Sequence, residues 1–275
     1  MPDYVGSASA EIIRSRQNAR LKDLRQRFLH PAIGEDGLIA IEGDHLLQEA
    51  ERSGLRVDTV FLREDRVAES DRAVQAHVKF LTVAAEVFDD ACATDSPQGI
   101  AALVKAPEWE LESLLTADEP RLVIVAGLQD PGNVGTIIRS AEAFAANGVL
   151  LTPGSVNPWN QKALRASAGS SFRVPVISLA DVSRLRRVAE SGIPMYACVA
   201  DTGDSIYEVD LRGPIAFVVG NEGAGISEEI LTFCDGSLHV PCPGKVESLN
   251  AAIAASIVLY EASRQRTVAS LQGKP

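Results

Sequence analysis

The sequence lacks any long hydrophobic run. Its longest nearly apolar stretch, 251–260, is far shorter than the ~20 residues that a membrane-spanning helix needs. The first eleven residues also lack the basic and then apolar layout of a secretory signal. These two absences together predict a cytoplasmic protein.

Paired cysteines and excess positive charge are also missing. No C-x-x-C pair occurs, so neither a disulfide framework nor a zinc site is expected from Cys92, Cys198, Cys234 and Cys242. The net charge of -11 counts against a protein that holds nucleic acid through a global positive field, so any such contact must be local. With 46% hydrophobic and 23% charged residues, the 275-residue chain has a globular composition, and its length allows two domains.

The first hundred residues predict a small α/β domain with a basic helix. Short β-type runs and helical stretches alternate as far as Lys105. We expect one α/β domain over 1–105 and a linker over 106–118, within the segment 106–120, which has two prolines, many acids and no β run. Apolar residues at helical spacing occur within 11–30, and the same stretch carries a basic face. That face is either an RNA contact or a solvated surface, and it comprises Arg14, Arg16, Arg20, Lys22, Arg25 and Arg27.

The second half predicts an α/β domain with a parallel sheet. Continuous apolar runs, typical of strands buried on both faces, occur at 122–128, 148–152, 174–179, 194–200 and 215–220. Helical patterns separate these runs, most clearly at 133–146, and a largely apolar helix follows at 249–266. Ligands of such sheets bind beyond the carboxyl ends of the strands, so the loops after the strands are where function is expected.

Two of these loops are ambiguous when considered one at a time. The loop 128–139 by itself predicts only a capped helix, with Asp130 or Asn133 satisfying free N–H groups and Arg139 paired with Glu142. The loop 219–227 sets three glycines around Glu222, which lets backbone approach a ligand. Its order G-x-x-G-x-G differs from the dinucleotide fingerprint, so a nicotinamide enzyme is disfavoured.

The third loop, 240–250, leads into the last helix. Its Gly244–Lys245 pair resembles a phosphate loop, but His239 and Val246 stand where that motif needs Gly and Ser or Thr. A nucleoside triphosphatase is therefore rejected. Ser248 alone predicts no more than a helix cap.

Taken together, the three loops resemble the signature motifs of the SpoU (TrmH) family, in the SPOUT class of RNA methyltransferases. The motif D-P-x-N-x-G-x-x-x-R spans 130–139, G-N-E-G-x-G spans 220–225 and P-x-x-G-x-x-x-S-L-N spans 241–250. The stretch 157–173 is also similar, so that the likeness covers about 120–265. The N-terminal part is similar, more weakly, to the family's substrate-binding domain, chiefly at 15–18 and 41–43. This likeness implies that the α/β domain over 1–105 binds the RNA substrate. Ala145, where the family commonly has glycine, is one of the few departures.

The resemblance implies a SPOUT methyltransferase domain over 119–275, with a deep trefoil knot that binds S-adenosylmethionine. It also implies a homodimer whose interface includes the last helix, and no metal. Arg139 would stabilise the developing alkoxide, and the other catalytic-site residues would be Asn133, Glu222, Ser248 and Asn250. The cofactor would contact Gly220, Val240, Leu249, Asn221, Gly225 and Gly244.

The function expected from this resemblance is 2'-O-methylation of a ribose in structured RNA, with rRNA favoured. The alternatives are a tRNA 2'-O-methyltransferase, a base methyltransferase and a non-catalytic RNA-binding protein of ribosome assembly. The S-L-N ending at 248–250 resembles the ribose-modifying branch of the class. The presence of Arg139, Glu222 and Ser248 together favours catalysis over binding alone.

Overall fold

The structure is a computed structural model that describes residues 12–69, 78–92, 94 and 96–272. Its contacts divide the chain into two compact units. The first extends to Pro107 and includes Trp159–Gln161, whereas the second comprises Glu108–Pro158 and the chain from Lys162 onward. Within the described ranges, no helix is both long enough and apolar enough to cross a membrane.

The first unit is a four-stranded sheet with helices. Its sheet has the order β1-β4-β2-β3, in which β4 runs antiparallel to β1 and β2, and β3 runs parallel to β2. Asn18 caps the basic helix α1 by accepting from the Arg20 amide, and Leu21, Leu24 and Phe28 bury the apolar stripe. The elements are α1 (Ala19–Leu29), β1 (Leu38–Glu42), α2 (Asp44–Arg52), β2 (Val57–Arg63), β3 (Lys79–Val83), α3 (Ala85–Cys92) and β4 (Ile100–Lys105).

A polar helix is also expected between β2 and β3. The structure has a 3-10 helix at Glu64–Glu69, and 70–77 lie outside the described residues.

The second unit contains a seven-stranded sheet in which every described pair is parallel, as the apolar runs predict. The strand order is β7-β6-β5-β10-β8-β11-β9. The strands are β5 (Arg121–Ala126), β6 (Gly148–Leu151), β7 (Val176–Ser178), β8 (Met195–Val199), β9 (Asp204–Ser205), β10 (Ile215–Gly220) and β11 (Gly236–His239). The helices are α4 (Leu111–Leu115), α5 (Pro131–Ala143), α6 (Gln161–Ser167), α7 (Leu185–Glu190), α8 (Glu228–Leu231) and α9 (Ala251–Gln272).

Helices α5 and α9 pack side by side against one face of this sheet, in a core that includes Val134, Ile138, Ala255 and Leu259. The glycine of the first motif makes close helix packing possible. A Cβ on Gly135 would lie 2.3 Å from the carbonyl oxygen of Ala163 on α6, so even alanine would force the helices apart. The motif thus specifies backbone packing as well as polar chemistry.

The structure differs from the sequence expectations in three places. Helix α5 ends at Ala143 rather than at 146, because Ala145 has a left-handed backbone (φ 53°) that helices do not continue through. The segment 106–118, expected as a linker, contains α4, whose Leu111 and Leu114 are buried in the second unit. Strands β9 and β11 carry no continuous apolar run, and the sequence did not predict them.

Candidate active site

A cavity of about 540 Å³ lies where β8, β10 and β11 end, and α9 and the loop before it close the other side. That volume is within the ~300–1,000 Å³ of small-molecule sites. Predicted site residues form a large part of its lining, namely Gly220, Asn221, Glu222, Gly225, Val240, Ser248 and Leu249. Gly244 is exposed in the same loop and does not line the cavity.

The charged lining of the cavity is acidic. Asp201, Glu222 and Glu247 contribute carboxylates, and the described lining contains no Lys or Arg. Phosphate groups require cationic or backbone N–H partners, so this lining is poorly suited to a polyphosphate. A ligand that carries positive charge on an apolar and polar body fits it better. Apolar walls are supplied by Val219, Ile226, Leu231, Leu238 and Val258.

The glycine loop after β10 is folded back on itself. Asn221 and Gly225 exchange backbone hydrogen bonds at 3.1 and 2.8 Å, and the Asn221 side chain accepts from the amides of Gly223 and Ala224. Gly225 has φ 69°, a conformation that favours glycine. A Cβ on Gly220 would lie 2.6 Å from the Gly225 carbonyl carbon. The two glycines therefore allow a tight turn that exposes Glu222 at the cavity.

A chain of hydrogen bonds joins the three motifs. The Asn133 side-chain amide donates to Glu222 Oε1, and Asn250 Nδ2 donates to Asn133 Oδ1 at 3.1 Å. Asn250 also caps α9, because its Oδ1 accepts from the amides of Ala252 and Ile253 at 3.0 and 3.3 Å. On the other side, Asp130 caps α5 by accepting from the Asn133 amide at 2.8 Å. Asn133 and Asn250 are thus each held at the start of a helix, and Glu222 is held by Asn133.

Arg139 and Ser248 are placed differently. Both are exposed, and neither has a hydrogen-bond or ion-pair partner among the described residues. The simple surface pair of Arg139 with Glu142 is not formed, since Glu142 accepts instead from Arg173. The structure therefore brings Asn133, Glu222 and Asn250 together and leaves the Arg139 guanidinium available for a ligand.

Sequence reasoning missed the contribution of β8 and β11 to the cavity. Cys198 and Asp201 line it at the end of β8, and His239 does so at the end of β11, where its Nδ1 lies 3.2 Å from the Gly203 carbonyl oxygen. Burial raises the pKa of the Cys198 thiol to about 12, so it lines the cavity as a neutral group. The apolar run 194–200 could have indicated Cys198 and Asp201, because it predicts a parallel strand and ligands bind beyond the ends of such strands.

The basic face predicted within 11–30 is partly neutralised, and its Arg14 and Arg16 lie before α1, which begins at Ala19. Arg27 is largely buried between Asp23 and Asp36, and Arg16 and Arg25 both pair with Asp90. Arg14 pairs with Glu64 at 3.5 Å. Within the described ranges Arg20 and Lys22 have no ion-pair partner and are exposed. Acids therefore pair with four of the six cations of this face, namely Asp23, Asp36, Glu64 and Asp90, and the contact of the face with RNA stays a prediction.

Comparison with known proteins identifies the family. The model of the SpoU rRNA Methylase family matches residues 120–260, a range that contains all three motifs. The chain belongs to the SpoU rRNA methylase family. In this SpoU protein, residues 18–102 match a second model, the MRM3-like substrate binding domain.

Proteins of named activity resemble this SpoU protein over most of its length. The 23S rRNA (guanosine(2553)-2'-O)-methyltransferase RlmP of Bacillus subtilis is 32% identical over 90% of this chain and 97% of its own. The SpoU methyltransferase AviRb of Streptomyces viridochromogenes, solved in complex with AdoMet, has a TM-score of 0.79 and 26% identity over 91% of this chain and 99% of its own. An AdoMet-bound rRNA methyltransferase from Sinorhizobium meliloti has the same TM-score and identity, over 92% of this chain and 97% of its own.

Proposed function

We propose that this protein transfers a methyl group from S-adenosylmethionine to a ribose 2'-hydroxyl of 23S rRNA. The observation that carries the proposal is the hydrogen-bonded chain of Glu222, Asn133 and Asn250 beside the cavity. It ties the two loops that line the cavity to the helix that carries Arg139. The 23S rRNA activity of the Bacillus relative supports rRNA over tRNA as the substrate.

The residues that line the cavity fit the cofactor. When bound, S-adenosylmethionine supplies a methyl group that its sulfonium already activates. Its positive charge suits a cavity with carboxylates and without Lys or Arg in the described lining. We assign its binding to the backbone around Gly220, Val240 and Leu249, with Asn221, Gly225 and Gly244 shaping the two loops.

The catalytic residues act on the ribose. A 2'-hydroxyl is a weak nucleophile at neutral pH, so the protein must hold it in line and help to remove its proton. Arginine stays protonated, and the exposed Arg139 guanidinium stabilises the negative charge that develops on the ribose oxygen. An adjacent RNA phosphate accepts the proton. Ser248 and Asn133 orient the ribose, Glu222 holds Asn133, and Asn250 fixes the start of α9.

Three further properties belong to the proposal. A homodimer through α9 is supported by the exposed apolar side chains of Ile253, Tyr260 and Leu271. A trefoil knot is proposed because the chain belongs to the SpoU family. A cytoplasmic location suits an enzyme that acts on rRNA.

The test is methyl transfer from labelled S-adenosylmethionine to protein-free rRNA and to ribosomal subunits, followed by nuclease digestion. We expect the label in a 2'-O-methylated nucleoside, at a position that is unmethylated in cells without the gene. Label on a base would indicate the base-modifying alternative. Calorimetric binding of cofactor without any transfer to rRNA or tRNA would indicate a non-catalytic protein.

A further inference from the structure

Glu142 and Arg173 form a bidentate ion pair on the surface of the second unit. Arg173 Nε donates to Glu142 Oε1 at 2.5 Å, and Nη2 donates to Oε2 at 3.0 Å. Both side chains are 35% exposed, so the pair is partly shielded from water. The hydrogen bond from Arg173, assisted by one from Ser170, lowers the pKa of Glu142. A bidentate guanidinium pair of this kind has a defined geometry and holds the carboxylate in one place.

The position of Glu142 makes this restraint significant. Glu142 lies three residues after Arg139 on α5, and residues at this spacing are neighbours on a helix surface. A free glutamate there would pair with Arg139. The observed carboxylate has both oxygens committed to Arg173, and Arg139 has no partner among the described residues.

We propose that Arg173 is a positioning residue that holds Glu142 away from Arg139 and so keeps the Arg139 guanidinium available to the RNA. This inference rests on the proposed function, in which Arg139 stabilises the ribose alkoxide. Without Arg173, Glu142 would compete for the guanidinium and would also place an uncompensated negative charge near the developing alkoxide and the RNA phosphates.

A direct RNA contact by Arg173 is the competing role. The geometry argues against it, because two of the donor groups of its guanidinium already bind Glu142. The two roles make opposite predictions when Glu142 is neutralised. If Arg173 acts through Glu142, then removing the charge of Glu142 restores what the loss of Arg173 removed. If Arg173 binds phosphate itself, neutralising Glu142 restores nothing.

The experiment compares R173Q, E142Q and the R173Q/E142Q double variant of the full chain in single-turnover methylation of rRNA. We expect R173Q to lower the rate about three- to fivefold, through pairing of Glu142 with Arg139 and through repulsion. The double variant should regain the wild-type rate to within about twofold. Because R173Q and the double variant both lack the ion pair, stability lost with the pair is common to the two. R187Q, which breaks the exposed Arg187–Glu112 pair, is the matched control and should keep the full rate.

A second measurement reports on Arg139 without any RNA. Phenylglyoxal modifies free guanidinium groups, and mass spectrometry follows the peptide that contains Arg139. We expect R173Q to slow this modification about twofold, because an i,i+3 ion pair protects the guanidinium only part of the time. The R173Q/E142Q double variant should be modified at the wild-type rate. The protection should disappear at 1 M salt, where exposed charges are screened.

The proposal is overturned if Glu142 neutralisation leaves the R173Q defect in place, or if the reactivity of Arg139 is the same in R173Q and the wild type. The proposed function fails in a different way. In that case R139A would methylate rRNA at the normal rate, whatever the phenylglyoxal experiment reports.

Discussion

Asn250 donates a hydrogen bond to Asn133 across 117 residues of sequence, and the same Asn250 caps the last helix. One side chain therefore couples the start of α9 to the start of α5. Because the cavity lies between the loop before α9 and the strand ends, this bond restrains one wall of the proposed cofactor site.

The two roles of Asn250 can be separated. N250S keeps a side-chain acceptor for the cap but is too short to reach Asn133, whereas N250A removes both. We expect N250A to lose about 1 kcal/mol of unfolding free energy, the usual cost of a helix cap, and N250S to lose little of it. Both should weaken cofactor binding, measured by calorimetry. Normal affinity in both variants would show that the bond to Asn133 does not shape the cavity.

Replacement of Arg139 tests its chemical role. R139A should lower the single-turnover rate about 10²- to 10³-fold, since an electrostatic donor to the transition state is lost, while cofactor affinity stays unchanged. R139K should restore little of the rate, because an ammonium cannot reproduce the planar guanidinium. Melting temperature serves as the control. It should hardly change, since Arg139 makes no ion pair with described residues. A near-normal rate in R139A would reject the assignment.

The unpaired cations of α1 should supply RNA affinity. Each phosphate contact contributes about 0.7 to 0.9 to the slope of log K against log salt, so R20A/K22A should reduce the slope by up to about 1.8. R184A/R186A removes the same charge from exposed positions at the start of α7 and is the control. Filter binding of an rRNA fragment over a range of salt measures the slopes. An equal reduction in both variants would mean that the effect is one of net charge alone.

Thiol labelling should report the cofactor site. Cys242 is exposed and lines the cavity, whereas burial raises the pKa of Cys198 to about 12 and that of Cys234 to about 11. Thiolates are the reactive form, so iodoacetamide at pH 8 should label Cys242 first. Saturating S-adenosylhomocysteine should slow that labelling, and C242S identifies the modified peptide. If the ligand leaves the rate of Cys242 labelling unchanged, the cofactor binds elsewhere.

The sequence by itself determined the class of the fold and the location of its three motif loops. Buried parallel strands need continuous apolar runs, and each of the five runs at 122–220 contains a parallel strand. Strands β5, β6 and β10 are buried almost throughout, whereas β7 and β8 are partly buried. The loops with Asn133, Glu222 and Asn250 stood out because they follow strands or precede the last helix, but only their resemblance to the three SpoU motifs assigned chemistry to them. The apolar stripe of α1 was equally visible, since helical periodicity is a local property.

Tertiary structure alone decided which partner each side chain has. Arg139 and Glu142 are neighbours in sequence and should pair, yet Arg173 from another segment holds the glutamate. The pairing of Arg27 with Asp36 and of Arg25 with Asp90 joins α1 to other segments, and no pattern within 11–30 indicates it. Strand β11 is short and mostly polar, and it forms because β8 and β9 offer it free backbone groups on both sides. Ion pairing and strand pairing depend on distances through space, and a linear pattern does not contain those distances.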